Sequence, residues 1–310
     1  MPILQKFPVS SMLGSPFADY LNVTTPSDNG DAVRAALLPL LESVSIVEET
    51  EDSFKLYTIN GGKLAPSGVF KFSKRGKVAV VSASGSALAA LRGKDALPEY
   101  VSLLSDFPHR VSMLHCTQDY HLSCPSAAVL AVKAAAVAGD LTLTRKRILP
   151  EHVRSLLQVN EQGLETGTIY LGNRANADVW AKVYDKRQER LSRGFADPGP
   201  IVRVEVAVQS DVGATLRDAL HPSDLFFHFA ARSLVDSPAN VRPWIAHGEG
   251  FVLPRREDRT AIERMDNILA FSYDIDRLIK VAREAYGAKA GVVLGRAMSK
   301  RCTAVLGAVA

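Results

Sequence analysis

The sequence predicts an α+β fold in which an antiparallel sheet is flanked by helices and followed by a helical C-terminal region. Short strand-like runs separated by turns fill the first two-thirds of the chain, and Ile201–Val208 is the clearest, with valines alternating against Arg203 and Glu205. From Ala214 onward the spacing of apolar residues is almost entirely helical. Strands that precede helices in this way are typical of an α+β domain joined to helices.

The predicted elements alternate between strands and helices up to the middle of the chain. Helical spacing, with Pro or Gly near the ends, predicts helices at Asp31–Val44, Ser84–Leu91, Leu97–Leu104 and Pro125–Gly139. Alternating or β-branched runs predict strands at Ser53–Asn60, Val69–Phe72, Lys77–Ser82 and Val111–His121, and a hairpin that joins Thr168–Gly172 to Asp178–Asp185. The only sign of a repeat is a strand–turn–helix pattern that Lys77–Leu91 shares with Leu114–Val129.

These elements divide the chain into three segments. Residues 1–30 are rich in Pro, Ser, Thr and Asn without a period, which predicts a loosely ordered arm. Residues 31–235 form the α+β domain. Residues 236–310, which include a charged linker at Val252–Arg259, form the helical C-terminal region.

The composition is that of a globular protein with a sizeable core. Hydrophobic residues make up 47% of the 310 residues, and charged residues 23%. The longest apolar run, Ala127–Ala138, is too short for a bilayer and contains Lys133, so we expect no membrane span. The start of the chain lacks the pattern of a secretory signal, and three cysteines do not suggest a disulfide framework. A cytoplasmic location is therefore expected.

The positive charge is concentrated in two zones. Residues 145–203 and residues 255–310 each carry eleven Lys and Arg against seven Asp and Glu, which suggests contact with a polyanion, and an ordinary solvated surface is an equally good interpretation of the charge alone. Phosphate-binding GxxxxGK[ST], GxSxG and CxxC motifs are missing. A P-loop nucleotidase, an esterase and a zinc ribbon are therefore disfavoured.

The predicted hairpin brings a tyrosine and several cations together. Trp180, Lys182 and Tyr184 alternate along its second strand and should share one face, with Lys186 and Arg187 just beyond. A positive field around Tyr184 would stabilise a phenolate and hold a phosphate beside it. A tyrosine that attacks a phosphodiester needs both. The plainer interpretation is a half-buried strand aromatic.

The hairpin resembles the replication initiation factor family of rolling-circle plasmids and filamentous phages. That family carries a pattern similar to T-x-Y-x-G-x-R followed by R-x-Y-[DN]-K-x-x-E. The matching residues here are Thr168, Tyr170, Gly172, Arg174, Tyr184, Asp185, Lys186 and Glu189. The resemblance implies that Tyr184 is the nicking nucleophile, and Lys182 replaces an arginine that is usual in the family.

Two further motifs extend the resemblance from about Pro108 to Leu234. One is the R-x-E strand, here Arg203 and Glu205. The other is P-H-R-V-x-R-[LI]-D-x-x-x-D, which begins at Pro108 and in which Met113 replaces Arg, His115 replaces the first Asp, and Asp119 keeps the second.

The resemblance implies a divalent metal ion, Mg²⁺ or Mn²⁺. Asp119 and Glu205 are the firmer ligands, and His115 and His121 compete for the third position. Residues i and i+4 on a straight strand are about 13 Å apart, whereas i and i+2 are about 6.6 Å apart, so spacing favours His121 as the partner of Asp119.

The implied reaction is a transesterification that nicks single-stranded or extruded origin DNA. Tyr184 would form a 5′-phosphotyrosyl intermediate and release a 3′-OH that primes a host polymerase, with Lys186 assisting. The expected phosphate contacts are Lys182, Arg187, Arg203 and Arg174. A host helicase is an expected partner, the host being bacterial, and a homodimer is compatible with the sequence.

Other interpretations remain open at the level of sequence. The runner-up is a non-catalytic DNA-binding regulator or decayed initiator on the same fold, which the His115 departure favours; a small-molecule phosphotransfer enzyme comes third. Tyr170 is the reserve nucleophile. Zinc could bind a set comprising Cys116, His121, Cys124 and His115, although Cys116 should point away from His115 on a regular strand.

Overall fold

A computed structural model describes residues 2–7, 9–60, 62–144, 147–159, 165–174 and 177–246. The strands within these ranges are β1 (Val9–Pro26), β2 (Ile46–Glu49), β3 (Ser53–Asn60), β4 (Lys63–Arg75), β5 (Val78–Ala83), β6 (Arg110–Leu122), β7 (Val153–Val159), β8 (Glu165–Leu171), β9 (Val179–Asp185) and β10 (Ile201–Gln209). The α-helices are α1 (Gly30–Val44), α2 (Gly85–Arg92), α3 (Leu97–Ser105), α4 (Pro125–Val137), α5 (Lys186–Ser192), α6 (Leu216–Leu220) and α7 (Pro222–Ala230).

Parts of the predicted organisation fall outside the described residues. The chain divides into two units, Met1–Phe251 and Val252–Ala310, and the second is not described. The predicted linker, most of the predicted C-terminal helices and two cations of the first basic zone, Arg145 and Lys146, lie there or in the internal gaps.

The α+β prediction is confirmed for the described part of the chain. All ten strands join one antiparallel sheet in the order β2-β3-β4-β5-β1-β6-β10-β9-β8-β7. On one face of the central strands the side chains are buried and mostly apolar, including Leu114, Cys116, Val204 and Val206, with Gln118 as a buried polar exception. The apolar side chains form one core with the buried faces of the helices, so the helices cover that side of the sheet.

The first thirty residues differ from the predicted loose arm, because β1 lies at the centre of the sheet. It pairs with β5 on one side and with β6 on the other, so the neighbouring strands satisfy its backbone groups. Its pairing with β6 is irregular between Leu13 and Phe17 and again between Ala18 and Tyr20. The Gly, Ser and Pro residues at 14–16 occupy the first irregularity, which explains why β1 shows no strand period.

The described chain contains the same series of strands and helices twice. β1, α1, β2 to β5, α2 and α3 form one half, and β6, α4, β7 to β10, α6 and α7 form the other, with α5 as an addition. In each half the sheet runs outward as first, fifth, fourth, third and second strand. The repeat suggested by Lys77–Leu91 and Leu114–Val129 is a different pairing, because it compares the end of one half with the start of the next.

Candidate active site on the polar face of the sheet

The side of the sheet opposite the helices carries three rows of side chains across β9, β10, β6 and β1. The strand register sets each row. The upper row is Trp180, Ala207, His115 and Tyr20; the middle row is Lys182, Glu205, Thr117 and Phe17; the lower row is Tyr184, Arg203, Asp119 and Leu13. We call this surface the polar face. The prediction that Trp180, Lys182 and Tyr184 share a face is confirmed.

Tyr184 and Glu205 form the buried centre of the polar face. The Tyr184 hydroxyl donates to Glu205 Oε1 at 2.7 Å, and the two residues are 7% and 1% exposed. The other carboxylate oxygen, Oε2, lies 2.6 Å from Lys182 Nζ and 3.7 Å from His115 Nδ1. The tyrosine proton therefore faces a carboxylate that is also paired with a lysine.

These contacts set the protonation of both groups. Burial raises the pKa of the Glu205 carboxyl, but the interactions with His115, Lys182 and Tyr184 outweigh it and hold that pKa at about 2. Burial, with the Glu205 charge next, raises the pKa of Tyr184 well above its usual value. The predicted phenolate is thus wrong for the free protein, since the negative charge resides on Glu205. Glu205 is the carboxylate to which the neutral Tyr184 hydroxyl donates.

A second ion pair occupies the lower row. Arg203 donates to both oxygens of Asp119, from Nε at 2.6 Å and from Nη2 at 2.8 Å. Its Nη1 lies 3.6 Å from Asp19 Oδ2, and the guanidinium lies over the Phe17 ring, 5.3 Å from its centroid. Because two guanidinium nitrogens each contact one oxygen of the same carboxylate, Arg203 and Asp119 form a bidentate, charge-assisted pair.

Asp19 and Phe17 were missed by the sequence analysis because they lie in the predicted arm. Asp19 interacts electrostatically with Glu205, Arg203 and Lys182, and burial followed by the Glu205 charge raises its pKa. Arg92 of α2 lies on the same cluster, with its guanidinium 4.9 Å from the Phe17 ring centroid. The signal that could have found them is the Phe-Ala-Asp-Tyr stretch, which needs only a strand assignment to place aromatic and acidic side chains on this face.

The four predicted metal ligands do not fit a metal ion. Asp119 has both oxygens bound by Arg203, and Glu205 is bound by Tyr184 and Lys182. Throughout the part of the chain that the structure describes, no three or more His, Cys, Asp or Glu side chains are grouped so as to hold an ion. His115 lies beside Glu205, whereas His121 is one row beyond Asp119, opposite Ile201 and near Gly199.

The residues of the alternative zinc site do not lie together, because its two cysteines are in different parts of the fold. Cys116 is buried in the core on the helix side of β6, opposite to His115, and burial raises the pKa of its thiol. Cys124 is exposed at the start of α4. The expectation that Cys116 and His115 point to opposite faces is confirmed.

Asp185 fixes the end of β9 next to Tyr184. Its side chain accepts from the Gln188 backbone N–H at 3.0 Å, which caps α5. Ser126 Oγ, at the start of α4, donates to its other oxygen at 3.0 Å. The Tyr-Asp-Lys motif thus combines a polar-face tyrosine with a cap that starts α5, a helix that was not predicted from the sequence.

Three of the four predicted DNA contacts have carboxylate partners. Lys182 and Arg203 bind Glu205 and Asp119 as described, and Arg187 on α5 forms an exposed pair with Asp197 at 2.7 Å. Lys186 pairs with Glu189 at 2.7 Å, and its Nζ lies 5.6 Å from the Tyr184 ring centroid.

Arg174 differs from these cations, because aromatic rings hold it. Its exposed guanidinium lies 4.9 Å from the ring centroid of Tyr170 and 4.8 Å from that of Trp180. Tyr170, the reserve nucleophile, pairs with Lys182 across β8 and β9. Arg174 therefore offers a flat, charged surface next to the site.

Several buried polar atoms of the upper and middle rows lack hydrogen-bond partners among the described residues. They are Nε2 of His115, Oγ1 of Thr117 and Nε1 of Trp180. A buried polar group without a partner costs about 1–3 kcal/mol, so such a cluster is typical of a site that binds water or a polar ligand.

Comparisons with known proteins give no family assignment. No protein-family model and no curated protein matches the chain. Among solved structures, the chain is similar to a rolling circle replication initiator protein from Geobacillus stearothermophilus, with a TM-score of 0.44, 12% identity, and coverage of 75% of this chain and 92% of that one. It is also similar to the di-domain ARO/CYC BexL from the BE-7585A biosynthetic pathway, with a TM-score of 0.20, 13% identity, and coverage of 71% and 99%.

Both similarities are distant, and neither assigns a function to this chain. Within the described ranges, no helix is long and apolar enough to cross a membrane.

Proposed function

We propose that this protein is a DNA nicking and closing enzyme that initiates rolling-circle replication. The observation that carries the proposal is the 2.7 Å hydrogen bond from Tyr184 to Glu205, with Lys182 on the other carboxylate oxygen. A nucleophile, a base and a cation that orients the base are the parts a strand-transfer reaction at phosphorus needs. The Tyr-Asp-Lys and R-x-E motifs that carry these residues support the same assignment.

The proposed reaction conserves bond energy and needs no nucleotide. Tyr184 passes its proton to Glu205 Oε1 as its oxygen forms a bond to phosphorus. The bond from phosphorus to the 3′ oxygen breaks, and that oxygen takes a proton from Lys186, whose ammonium lies beside the Tyr184 ring. The products are a 5′-phosphotyrosyl protein and a free 3′-OH, and the reverse reaction rejoins the strand.

The substrate is single-stranded or extruded origin DNA. Arg174, with Tyr170 beneath it, provides a surface on which an unpaired base can stack, and stacking is how proteins bind bases that are not paired. The basic excess of residues 145–203 adds attraction for the backbone. A host polymerase would extend the 3′-OH and a host helicase would open the duplex, which places the reaction in a bacterial cytoplasm.

A specific observation favours a second candidate, the non-catalytic DNA-binding regulator. Tyr184 is 7% exposed, and its pKa is raised by burial. A phosphodiester must reach its hydroxyl for attack, whereas a regulator needs only the stacking surface and the basic zone. The covalent product distinguishes the two functions.

The test is capture of the covalent intermediate. The full chain is incubated with a randomised pool of single-stranded DNA labelled at the 3′ end, with Mg²⁺, with Mn²⁺ or with EDTA, and is run on a denaturing gel. We expect labelled protein from the wild type and none from Tyr184→Phe, which should still bind DNA. Tyr170→Phe is the matched control and should retain the adduct.

Two results would contradict the proposal. An adduct at the wild-type level in Tyr184→Phe would move the nucleophile elsewhere, with Tyr170 tested next. DNA binding without an adduct under all three conditions would establish the regulator instead.

A further inference from the structure

The sequence resemblance implies a divalent ion, yet cations of the protein already bind the carboxylates that would hold it. We infer that Lys182 and Arg203 supply the positive charge for strand transfer at Tyr184, so that the reaction needs no divalent ion. This inference rests on the proposed nicking function and concerns how the same site stabilises the phosphate.

The register places these two cations on either side of the reacting groups. On β9 and β10, Tyr184 is opposite Arg203 and Lys182 is opposite Glu205, so the four side chains form a square. The nucleophile and the base occupy one diagonal, joined by their hydrogen bond, and the cations occupy the other. A phosphate that reaches Tyr184 therefore lies between two positive charges.

Both cations keep donors available for a phosphate. Lys182 has three N–H donors, its Nζ contacts Glu205 Oε2, and its side chain is 24% exposed. Arg203 binds Asp119 through Nε and Nη2, and Nη1, 3.6 Å from Asp19, keeps N–H groups for an anion. Donors held in place before the reaction stabilise the charge that develops on phosphate oxygens, as a metal ion would.

The charges of the cluster are balanced without an ion. Three carboxylates, Asp19, Asp119 and Glu205, lie among three cations, Lys182, Arg203 and Arg92, and a fourth cation that acts on Asp19, Lys186, is paired with Glu189. A divalent ion next to Glu205 would face Lys182 Nζ, 2.6 Å from the same carboxylate, and like charges at such distances repel strongly. Mg²⁺ sites use carboxylates whose oxygens are free to bind it.

The experiment combines a binding measurement with the adduct assay. Electron paramagnetic resonance of free Mn²⁺ is titrated with the full chain, and the initial rate of adduct formation is measured in EDTA and in Mn²⁺. We expect the wild type to leave the free Mn²⁺ signal unchanged and to form the adduct at rates within about twofold of each other in the two buffers.

Variants test whether Lys182 supplies the positive charge for strand transfer. Lys182→Ala should lower the adduct rate in EDTA by about 100-fold, the typical effect of removing one group that stabilises the transition-state charge. Lys182→Arg keeps the charge and should restore most of that rate. The matched control is Lys71→Ala, an exposed lysine on β4, and circular dichroism establishes that each variant is folded.

The outcomes separate the two proposals. An adduct that disappears in EDTA, or stoichiometric Mn²⁺ binding that is lost in Asp119→Ala and Glu205→Ala, would overturn this inference and leave the nicking function intact. An unchanged rate for Lys182→Ala in EDTA would overturn the role of Lys182. Absence of an adduct in both buffers would overturn the nicking function and this inference with it.

Discussion

Replacing Glu205 by Gln tests how strongly the ion-pair cluster stabilises the fold. The change keeps the shape of a side chain that is almost completely buried, but it removes the charge that pairs with Lys182 at 2.6 Å. The pKa of Glu205 falls from 4.5 to about 2 on folding, which corresponds to about 3 kcal/mol of stabilisation at neutral pH. Losing one partner of a buried pair typically costs about 3–5 kcal/mol, which agrees.

The sign of the shift gives the pH dependence. Because the folded pKa is lowered, the stabilisation is complete well above pH 4.5 and is lost as the pH falls toward 2. We therefore expect Glu205→Gln to be about 3 kcal/mol less stable than the wild type at pH 7, and less than about half of that at pH 3.

Urea denaturation followed by tryptophan fluorescence measures both differences, and Trp180 lies on the same face as Glu205. Glu49→Gln, which removes an exposed carboxylate that pairs with Arg34, is the control and should change stability by less than about 1 kcal/mol. A Glu205→Gln penalty that stays constant from pH 7 to pH 3 would refute the assignment of the charge to Glu205.

Two further predictions concern the tyrosine and the stacking surface. Burial and the Glu205 charge raise the pKa of Tyr184. Ultraviolet titration of the folded protein should therefore detect the same phenolate absorbance in wild type and Tyr184→Phe up to pH about 10. A difference in absorbance below that pH would show that Tyr184 ionises there and would contradict the prediction. Arg174→Ala should weaken single-stranded DNA binding, measured by fluorescence anisotropy, by about 1–3 kcal/mol. Arg187→Ala should weaken binding less, because Arg187 is paired with Asp197. Equal losses for the two variants would contradict a special role of Arg174.

The strand and helix patterns could be predicted because local periodicity carries them. The alternation of β9 and β10 placed Trp180, Lys182 and Tyr184 on one face and Arg203 and Glu205 on one face, as the structure has them. The strand β1 could not be predicted in this way, because its Gly, Ser and Pro residues occupy irregular pairing positions. Asp19 and Phe17 were lost from the predicted site for that reason.

The partners of the site residues could not be predicted, because they depend on the register between strands that are distant in the chain. Asp119 and Arg203 are 84 residues apart and meet only through the pairing of β6 with β10. A sequence motif can identify the carboxylates, but the strand register decides that Arg203 and Lys182 lie against them. The same register turns the predicted phenolate into a neutral tyrosine beside an ionised glutamate.

The residue at position 115 bears directly on how the carboxylates of the polar face are paired. His115 Nδ1 lies 3.7 Å from Glu205 Oε2, so a carboxylate at this position would add a fourth negative charge to a cluster with three cations. That excess would attract a divalent ion and would compete with Glu205 for Lys182. A histidine there adds no carboxylate to the cluster, and Lys182 contacts the glutamate to which Tyr184 donates. The proposed metal-free reaction therefore depends on the absence of a further carboxylate at position 115, where Lys182 would otherwise have two acidic partners.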